Sequence, residues 1–314
     1  MGRPRSLETL NDWDSYCPVI MRDELLERLA KTANTIRQDI IKMLVEAGSG
    51  HSAGPLGMAD VFTALYFEVL NHNPKNPKWE ERDRLVLSNG HIAPVWYMTL
   101  AHAGYFPREE ALGTLRKLNS RLQGHPHFGT TPGVENSGGP LGQGLSQAIG
   151  MALAARMDGK RHWVYCITGD GELDEGQIWE AVMFAGKNKL ANLTAIVDRN
   201  NIQIDGMTED IMPLEPLTDK FESFNWHVLE IDGHNIQQII DACAEAKAII
   251  EKPVVIIAHT IAGKGVDWME YDFRWHGNPP GTLEVPGDPE KKDQAKSALH
   301  DLRTLRGKIT GEHE

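Results

Sequence analysis

Residues 163–201 constrain the fold more tightly than any other part of this 314-residue chain. An uncharged run, Trp163-Val164-Tyr165-Cys166-Ile167-Thr168, ends in Gly169-Asp170-Gly171. A second apolar run, Leu193–Asp198, ends in Arg199-Asn200-Asn201, and a helical segment at about Glu175–Asn188 lies between them. Strand, crossover helix and strand of this length form a right-handed βαβ unit. The alternation extends to both sides. Strands are expected at Arg84–Leu87, Trp163–Thr168, Leu193–Asp198, His227–Ile231 and Val254–His259, with helices at about Leu141–Met157, Glu175–Asn188 and Ile236–Ile250. Uniformly apolar strands separated by helices predict an α/β fold, a parallel sheet with helices on both faces.

Toward the N-terminus, Leu25, Leu29, Ile36, Ile40 and Leu44 recur near helical spacing and predict a helix from Met21 to Ala47, stopped by Gly48. A glycine-rich turn follows, then a second helix at about Met58–Leu70. The expected organisation is an irregular arm over 1–20, one large domain over 21–280 and a linker-like tail over 281–314 carrying a small helix within Lys291–Lys308.

Charge and composition exclude several classes. Lys plus Arg is 32 and Asp plus Glu is 44, a net charge of −12 with no basic run, which disfavours nucleic acid and anionic membrane as partners. Cys17, Cys166 and Cys243 form no CxxC pair, as expected of a reduced interior. The start has no apolar signal core, and the uncharged stretches Leu85–Pro107 and Asn136–Ala155 are broken by polar residues and glycines. A cytoplasmic protein is the expectation.

If the two strands of the βαβ unit are neighbours, their carboxyl ends lie side by side, where ligands of open α/β sheets bind. Asp170 and Asn200 then present hard oxygen ligands of the kind Mg²⁺ prefers, and the glycines beside Asp170 let backbone approach a diphosphate. A lone Gly-Asp-Gly is often only a tight turn; its pairing with Asn-Asn one βαβ unit away gives it weight. Neither GxxxxGK with Ser or Thr nor GxGxxG occurs, which disfavours a nicotinamide dehydrogenase. Four histidines, His51, His91, His125 and His276, sit in glycine-containing loops. A loop histidine is usually only solvated, but four together suit a pocket that hydrogen-bonds a polyol and shuttles protons with imidazoles titrating near neutrality.

These residues resemble the thiamine diphosphate enzymes, and most narrowly the N-terminal half of transketolase. The module Gly169–Asn201 is common to the superfamily. The narrower signature is Ser49-Gly50-His51 with Pro55-Leu56-Gly57-Met58-Ala59-Asp60, Asp83-Arg84 leading to Leu87-Ser88-Asn89-Gly90-His91, Gly124-His125-Pro126, Gly139-Pro140-Leu141-Gly142-Gln143-Gly144 and Trp275-His276-Gly277. The similarity covers about residues 25 to 280, with its motifs in family order. It implies that Asp170, Asn200 and the backbone carbonyl of Ile202 hold Mg²⁺, with Ca²⁺ or Mn²⁺ as substitutes. It further implies thiamine diphosphate contacts at Gly139, Pro140, Leu141, Gly169, Asp170, Gly171, Glu172 and Asn200. His51, His91, His125 and His276 would surround the donor sugar, and Glu175 would belong to a proton-linked network between paired active sites.

The activity so implied is transfer of a two-carbon ketol unit from a ketose phosphate to an aldose phosphate. The implied partner is a C-terminal subunit with a pyrimidine-binding domain and the activating glutamate, in an α₂β₂ assembly. The sequence departs from the family pattern at Ser52-Ala53-Gly54, where many relatives have Pro-Gly-Ala, and at Asn278, where some have lysine. The alternatives are an α-type chain of a 2-oxo-acid dehydrogenase, a deoxyxylulose phosphate synthase-like enzyme and a catalytically silent cofactor-binding paralogue. The first lacks the Ser-Gly-His and Ser-Asn-Gly-His loops, and the second has Gly-His-Ser-Ser-Thr-Ser where this chain has Gly-Gly-Pro-Leu-Gly-Gln-Gly. Intact Asp170, Asn200 and all four histidines argue against the third.

Overall fold

A computed structural model describes residues 13–304 apart from 286 and 289. Five parallel strands, β1 (Arg84–Leu87), β2 (Val164–Gly169), β3 (Leu193–Arg199), β4 (His227–Asp232) and β5 (Val254–His259), form one sheet in the order β1-β2-β3-β5-β4. β2 and β3 are neighbours, with Gly169 opposite Asp198, so the adjacency on which the reading of Asp170 and Asn200 depended is present. Each strand lies within a residue or so of its expected position.

The strands are apolar on both sides because both faces are covered. On one face Leu85, Leu87, Tyr165, Ile167, Ile196 and Ile256 pack with the helices α1 (Trp13–Ala47), α2 (Ala53–Gly57), α3 (Ala59–Ala64), α4 (Ala93–His102) and α5 (Arg108–Thr114). On the other, Val86, Cys166, Ala195, Val197 and Ile257 meet α6 (Gln143–Met157) and α7 (Gly176–Lys187). The short helices α8 (Thr208–Ile211) and α9 (Leu217–Ser223) lead into β4, and α10 (Ile236–Ala248) and α11 (Gln294–Thr304) return to the first face.

Three expectations need correction. The first helix begins at Trp13, not Met21, so the expected arm is helical from 13 onward, while residues 1–12 lie outside the described residues. The segment expected to be a tail is docked: Ala298 and Leu302 are buried, Asn34 Nδ2 donates to Leu302 O at 2.9 Å, and Trp268 Nε1 donates to Ser297 Oγ at 3.2 Å. Its charged composition concealed one apolar stripe of α11. Third, α4 was not anticipated. Ala93 to Ala101 are all buried, and a helix buried all round carries no 3.6-residue alternation to reveal it.

A buried polar clamp fixes the loops after β4 and β5. The Arg37 guanidinium pairs with Asp60, reaching Asp60 Oδ1 at 3.1 Å, and donates to Leu56 O at 2.9 Å. His234 Nδ1 lies 2.8 Å from Asp60 Oδ2, and His234 Nε2 accepts from Ile261 N at 2.8 Å. That pattern assigns the proton to Nδ1 and the neutral tautomer. Gly57 packs so closely here that a Cβ would stand 2.9 Å from Ile261 O.

Candidate cofactor and substrate site

The carboxyl ends of β1, β2, β3 and β5 lie along one edge of the sheet. After β2, Asp170 is buried and its carboxylate is pinned on both oxygens. Oδ1 accepts from Gly171 N at 2.7 Å, and Oδ2 accepts from Asn201 N at 2.6 Å and Arg199 Nη1 at 3.2 Å. After β3, Asn201 takes a positive φ of 63°, which turns the chain back toward Asp170. The Asn200 amide is oriented by two bonds: its Nδ2 donates to Asp198 Oδ2 at 2.9 Å, and its Oδ1 accepts from Ile202 N at 3.1 Å. Asp198 is itself fixed by Thr260 Oγ1, after β5, at 2.5 Å.

Burial raises the Asp170 carboxyl to about 6, against the lowering effect of the Asn201 and Gly171 amides and Arg199. Burial likewise raises Asp198 to about 7, with Asp170 adding to the rise. Two desolvated carboxyl groups beside an oriented amide oxygen form an all-oxygen donor set suited to a hard divalent cation. Among the described residues no group of three or more His, Cys, Asp or Glu could hold a metal. The residues that the family resemblance names for a cation, Asp170, Asn200 and the Ile202 carbonyl, include two oxygen donors held in place here, which fits a hard cation whose remaining ligands are a ligand's phosphates. That is how Mg²⁺ is commonly held.

The remaining walls are loops packed backbone to backbone. A Cβ on Gly90 would stand 2.9 Å from Gly139 N and 3.1 Å from Gly138 Cα. Gly138 N donates to Pro126 O at 2.9 Å, bringing the His125 loop alongside. Gly139, Pro140 and Leu141 follow, with Leu141 partly exposed. Both amide atoms of buried Asn89 lack a partner beside Gly169. Glu172, expected to touch cofactor, is only 3% exposed and accepts from Ser88 Oγ, Gly142 N and Gly169 N.

Three of the four histidines form one cluster. Ring centroids of His51 and His91 are 4.9 Å apart, those of His91 and His276 4.9 Å, and those of His51 and His276 5.5 Å. Ser52 ties the first and last of these loops, donating to Asn278 O at 2.6 Å with Trp275 O at 3.1 Å. His125 stands at the rim, 3.9 Å by its Cγ from where a Gly139 Cβ would lie. Burial, aided by the neighbouring rings and Arg116, lowers His51 to about 4; burial lowers His276 to about 4 and pushes His91 well below its ordinary value. His125 is lowered by burial and by Arg116. The expectation of imidazoles titrating near neutrality is therefore corrected: crowding and desolvation keep these rings neutral at pH 7. Nδ1 of His51 and of His276 is buried without a partner. Glu175 stands apart, exposed at the start of α7, its Cβ 3.0 Å from where a Cβ on Gly142 would lie.

Sequence reasoning missed Arg199 and Arg116. Arg199 is buried and joins Asp170 to Glu209 at 2.6 Å and Glu215 at 2.9 Å. It lies inside the Asp-Arg-Asn-Asn motif, and that position was its only signal. Arg116 has φ 59° and lies between the His51 and His125 loops, 3.8 Å and 3.2 Å from where Cβ atoms on Gly50 and Gly124 would be.

The parallel sheet with helices on both faces places the chain in the α/β class, with Asp170, Asn200 and the histidine-bearing loops following its strands. The chain belongs to the transketolase family: the family model described as transketolase, thiamine diphosphate binding domain, matches residues 29–293. It is 48% identical over 248 residues to the 6-deoxy-6-sulfo-D-fructose transketolase subunit of Clostridium sp. (strain MSTE9), covering 79% of this chain and 90% of that one. It is 41% identical over 255 residues to a subunit of the apulose-4-phosphate transketolase of Phocaeicola vulgatus, covering 81% and 90%. The solved transketolase of Campylobacter jejuni superposes with a TM-score of 0.77 at 37% identity, covering 90% of this chain and 48% of that one. The chain thus spans about half the length of the solved transketolases it matches.

Proposed function

We propose that this chain is the diphosphate-binding N-terminal subunit of a two-chain transketolase. It would transfer a two-carbon ketol unit between sugars that carry an anionic end, with thiamine diphosphate and Mg²⁺, in an α₂β₂ assembly in the cytoplasm. The observation that carries the reading is the His51–His91–His276 cluster, whose His91 loop reaches Gly169 next to Asp170 through Asn89. The need for a second chain is supported by relatives named as subunits, of which this chain covers nine-tenths. That second chain would bring the pyrimidine-binding domain and the activating glutamate.

Thiamine diphosphate, when bound, supplies the carbanion chemistry. Asp170, Asn200 and the Ile202 carbonyl would hold the cation, and Gly139, Pro140, Leu141, Gly169 and Gly171 would let backbone approach the cofactor. Neutral imidazoles donate one hydrogen bond and accept another, so the His51 and His276 rings would suit the hydroxyls of a ketose. His91 and His125 would complete that wall. Glu175, exposed at the start of α7, would contribute a proton link to a second active site. Arg116, between the His51 and His125 loops, is placed to meet the sugar's phosphate or sulfonate.

The test is reconstitution. The tagged chain is recovered with its stoichiometric partner, and ketol transfer is assayed for each chain alone and for the pair. Transfer by the pair, absent from this chain alone, is expected. Full-rate transfer by this chain alone, or turnover of 2-oxo acids in place of ketoses, would reject the reading. In the pair, Arg116→Ala should raise KM for an anionic sugar about 10-fold, the loss of one charged hydrogen bond, and leave an uncharged sugar unaffected.

A further inference from the structure

Glu172 is buried and accepts three hydrogen bonds from three separate segments. Ser88 Oγ, after β1, donates to Oε1 at 2.5 Å; Gly142 N, before α6, donates to Oε1 at 2.7 Å; Gly169 N, at the end of β2, donates to Oε2 at 2.9 Å. Ser88 extends the arrangement, because its Oγ accepts from Gly144 N at 3.0 Å. We propose that Glu172 is a positioning residue whose buried carboxylate holds the 88–90, 139–144 and 169–171 loops in register before any cofactor arrives. The proposal rests on the reading that these loops form the cofactor cradle.

The sequence explains why such a device is needed. Gly138, Gly139, Gly142 and Gly144 fall within seven residues, and Gly139 and Gly142 hold positive φ angles of 130° and 80°. Glycine loses more conformational freedom on ordering than any other residue, so this loop is costly to fix. Its packing is also unforgiving: a Cβ on Gly144 would stand 2.5 Å from Ser88 Cα. A carboxylate has only acceptor atoms, and here three donors converge on its two oxygens. An amide of the same shape must turn its NH₂ toward one of those donors. At least one buried N–H or O–H then loses its acceptor, which is the costly way to break a hydrogen bond. Burial raises the Glu172 carboxyl, and the three donors oppose that rise.

Hydrogen–deuterium exchange on the full chain without cofactor tests the idea, comparing wild type with Glu172→Gln and Ser88→Ala. Glu172→Gln should speed exchange about 10-fold or more in peptides spanning residues 86–92, 138–146 and 167–173, while β3, β4 and β5 stay protected. Ser88→Ala should release 138–146 and leave 167–173 protected, because the Gly169–Glu172 bond survives; it decides the matter if the first variant does not fold. Unchanged exchange in 138–146 for both variants would overturn the proposal. In the pair reconstituted with the partner subunit, tryptophan fluorescence with MgCl₂ should show half-saturation by thiamine diphosphate raised about 10-fold in Glu172→Gln. Faster exchange with unchanged half-saturation would reduce Glu172 to a purely structural role and overturn the proposal. A reconstituted wild-type pair with protected loops that takes up no thiamine diphosphate would overturn the cradle reading instead.

Discussion

Replacing His276 by asparagine should make the chain less sensitive to acid, and the size of the effect follows from its surroundings. His276 is lowered to about 4 by burial, against 6.5 for an unperturbed histidine. A group whose folded pKa is depressed costs stability as pH falls. Above pH 6.5 neither state binds the proton; between 6.5 and 4 the unfolded chain binds it and the folded chain does not; below 4 both do and the loss levels off. At about pH 5 the loss is roughly 1.5 pH units at 1.36 kcal/mol each, or about 2 kcal/mol. Asparagine removes it. Asp170 and Asp198, raised to about 6 and about 7, act with the opposite sign, because the folded chain keeps protons there that the unfolded chain releases. Their contribution is common to wild type and variant, so it cancels in the comparison. The packing lost with the ring is the same at both pH values and cancels too. Urea unfolding at about pH 5 and about pH 8 should therefore show His276→Asn more favourable by about 2 kcal/mol at the lower pH, relative to its effect at the higher. Titration of ¹⁵N-labelled histidines should show His51 rising from about 4, because His276 is one of the groups that depresses it. Equal effects at the two pH values, or a wild-type His276 titrating near 6.5, would refute the crowded neutral cluster.

Arg37→Met leaves the Asp60 carboxylate buried with His234 as its remaining partner and should cost about 3–5 kcal/mol in urea unfolding. Gly186→Ala places a Cβ 1.9 Å from the Phe224 carbonyl oxygen, which must move; overpacking of this kind should cost about 3 kcal/mol, read as a lower urea midpoint with an unchanged slope. Asp170→Ala removes the carboxylate of the cation site and should weaken Mg²⁺-dependent uptake of thiamine diphosphate by more than about 10-fold; fluorescence titration at fixed cofactor and varied MgCl₂ measures it, and equal uptake would remove Asp170 from the site.

The features legible in the sequence were those with a period or a punctuation mark. Alternating faces do not show in a strand buried on both sides, yet five such runs bounded by glycine, proline or polar residues fixed the sheet. The pairing of Gly169 with Asp198 followed from one crossover of ordinary length. The histidine loops were visible because glycine flanks each of them. What stayed hidden depends on three-dimensional neighbours. α4 has no polar face to mark it, and Glu172 reads as one more acid in Gly-Glu-Leu-Asp-Glu until Ser88 and Gly142 are brought to it. The neutral state of the histidines is equally invisible in sequence, because it comes from rings about 5 Å apart that belong to loops far apart in the chain.

Ser52 and Trp275, joined by the Ser52 hydroxyl, are 223 positions apart. Loop closure over that span is costly, and Trp275 follows β5, which lies in the sheet between β3 and β4, so the contact needs the chain synthesised beyond β5. A ribosome would therefore have to deliver nearly all of the described chain before the substrate pocket exists, although the β2–β3 ends that hold Asp170 and Asn200 could meet much earlier. Ligand capacity would be acquired in two stages during synthesis, the cation side first and the sugar side last. Proteolytic nicking within 264–278, beyond the Thr260 that holds Asp198, should accordingly open the pocket and spare the cation site.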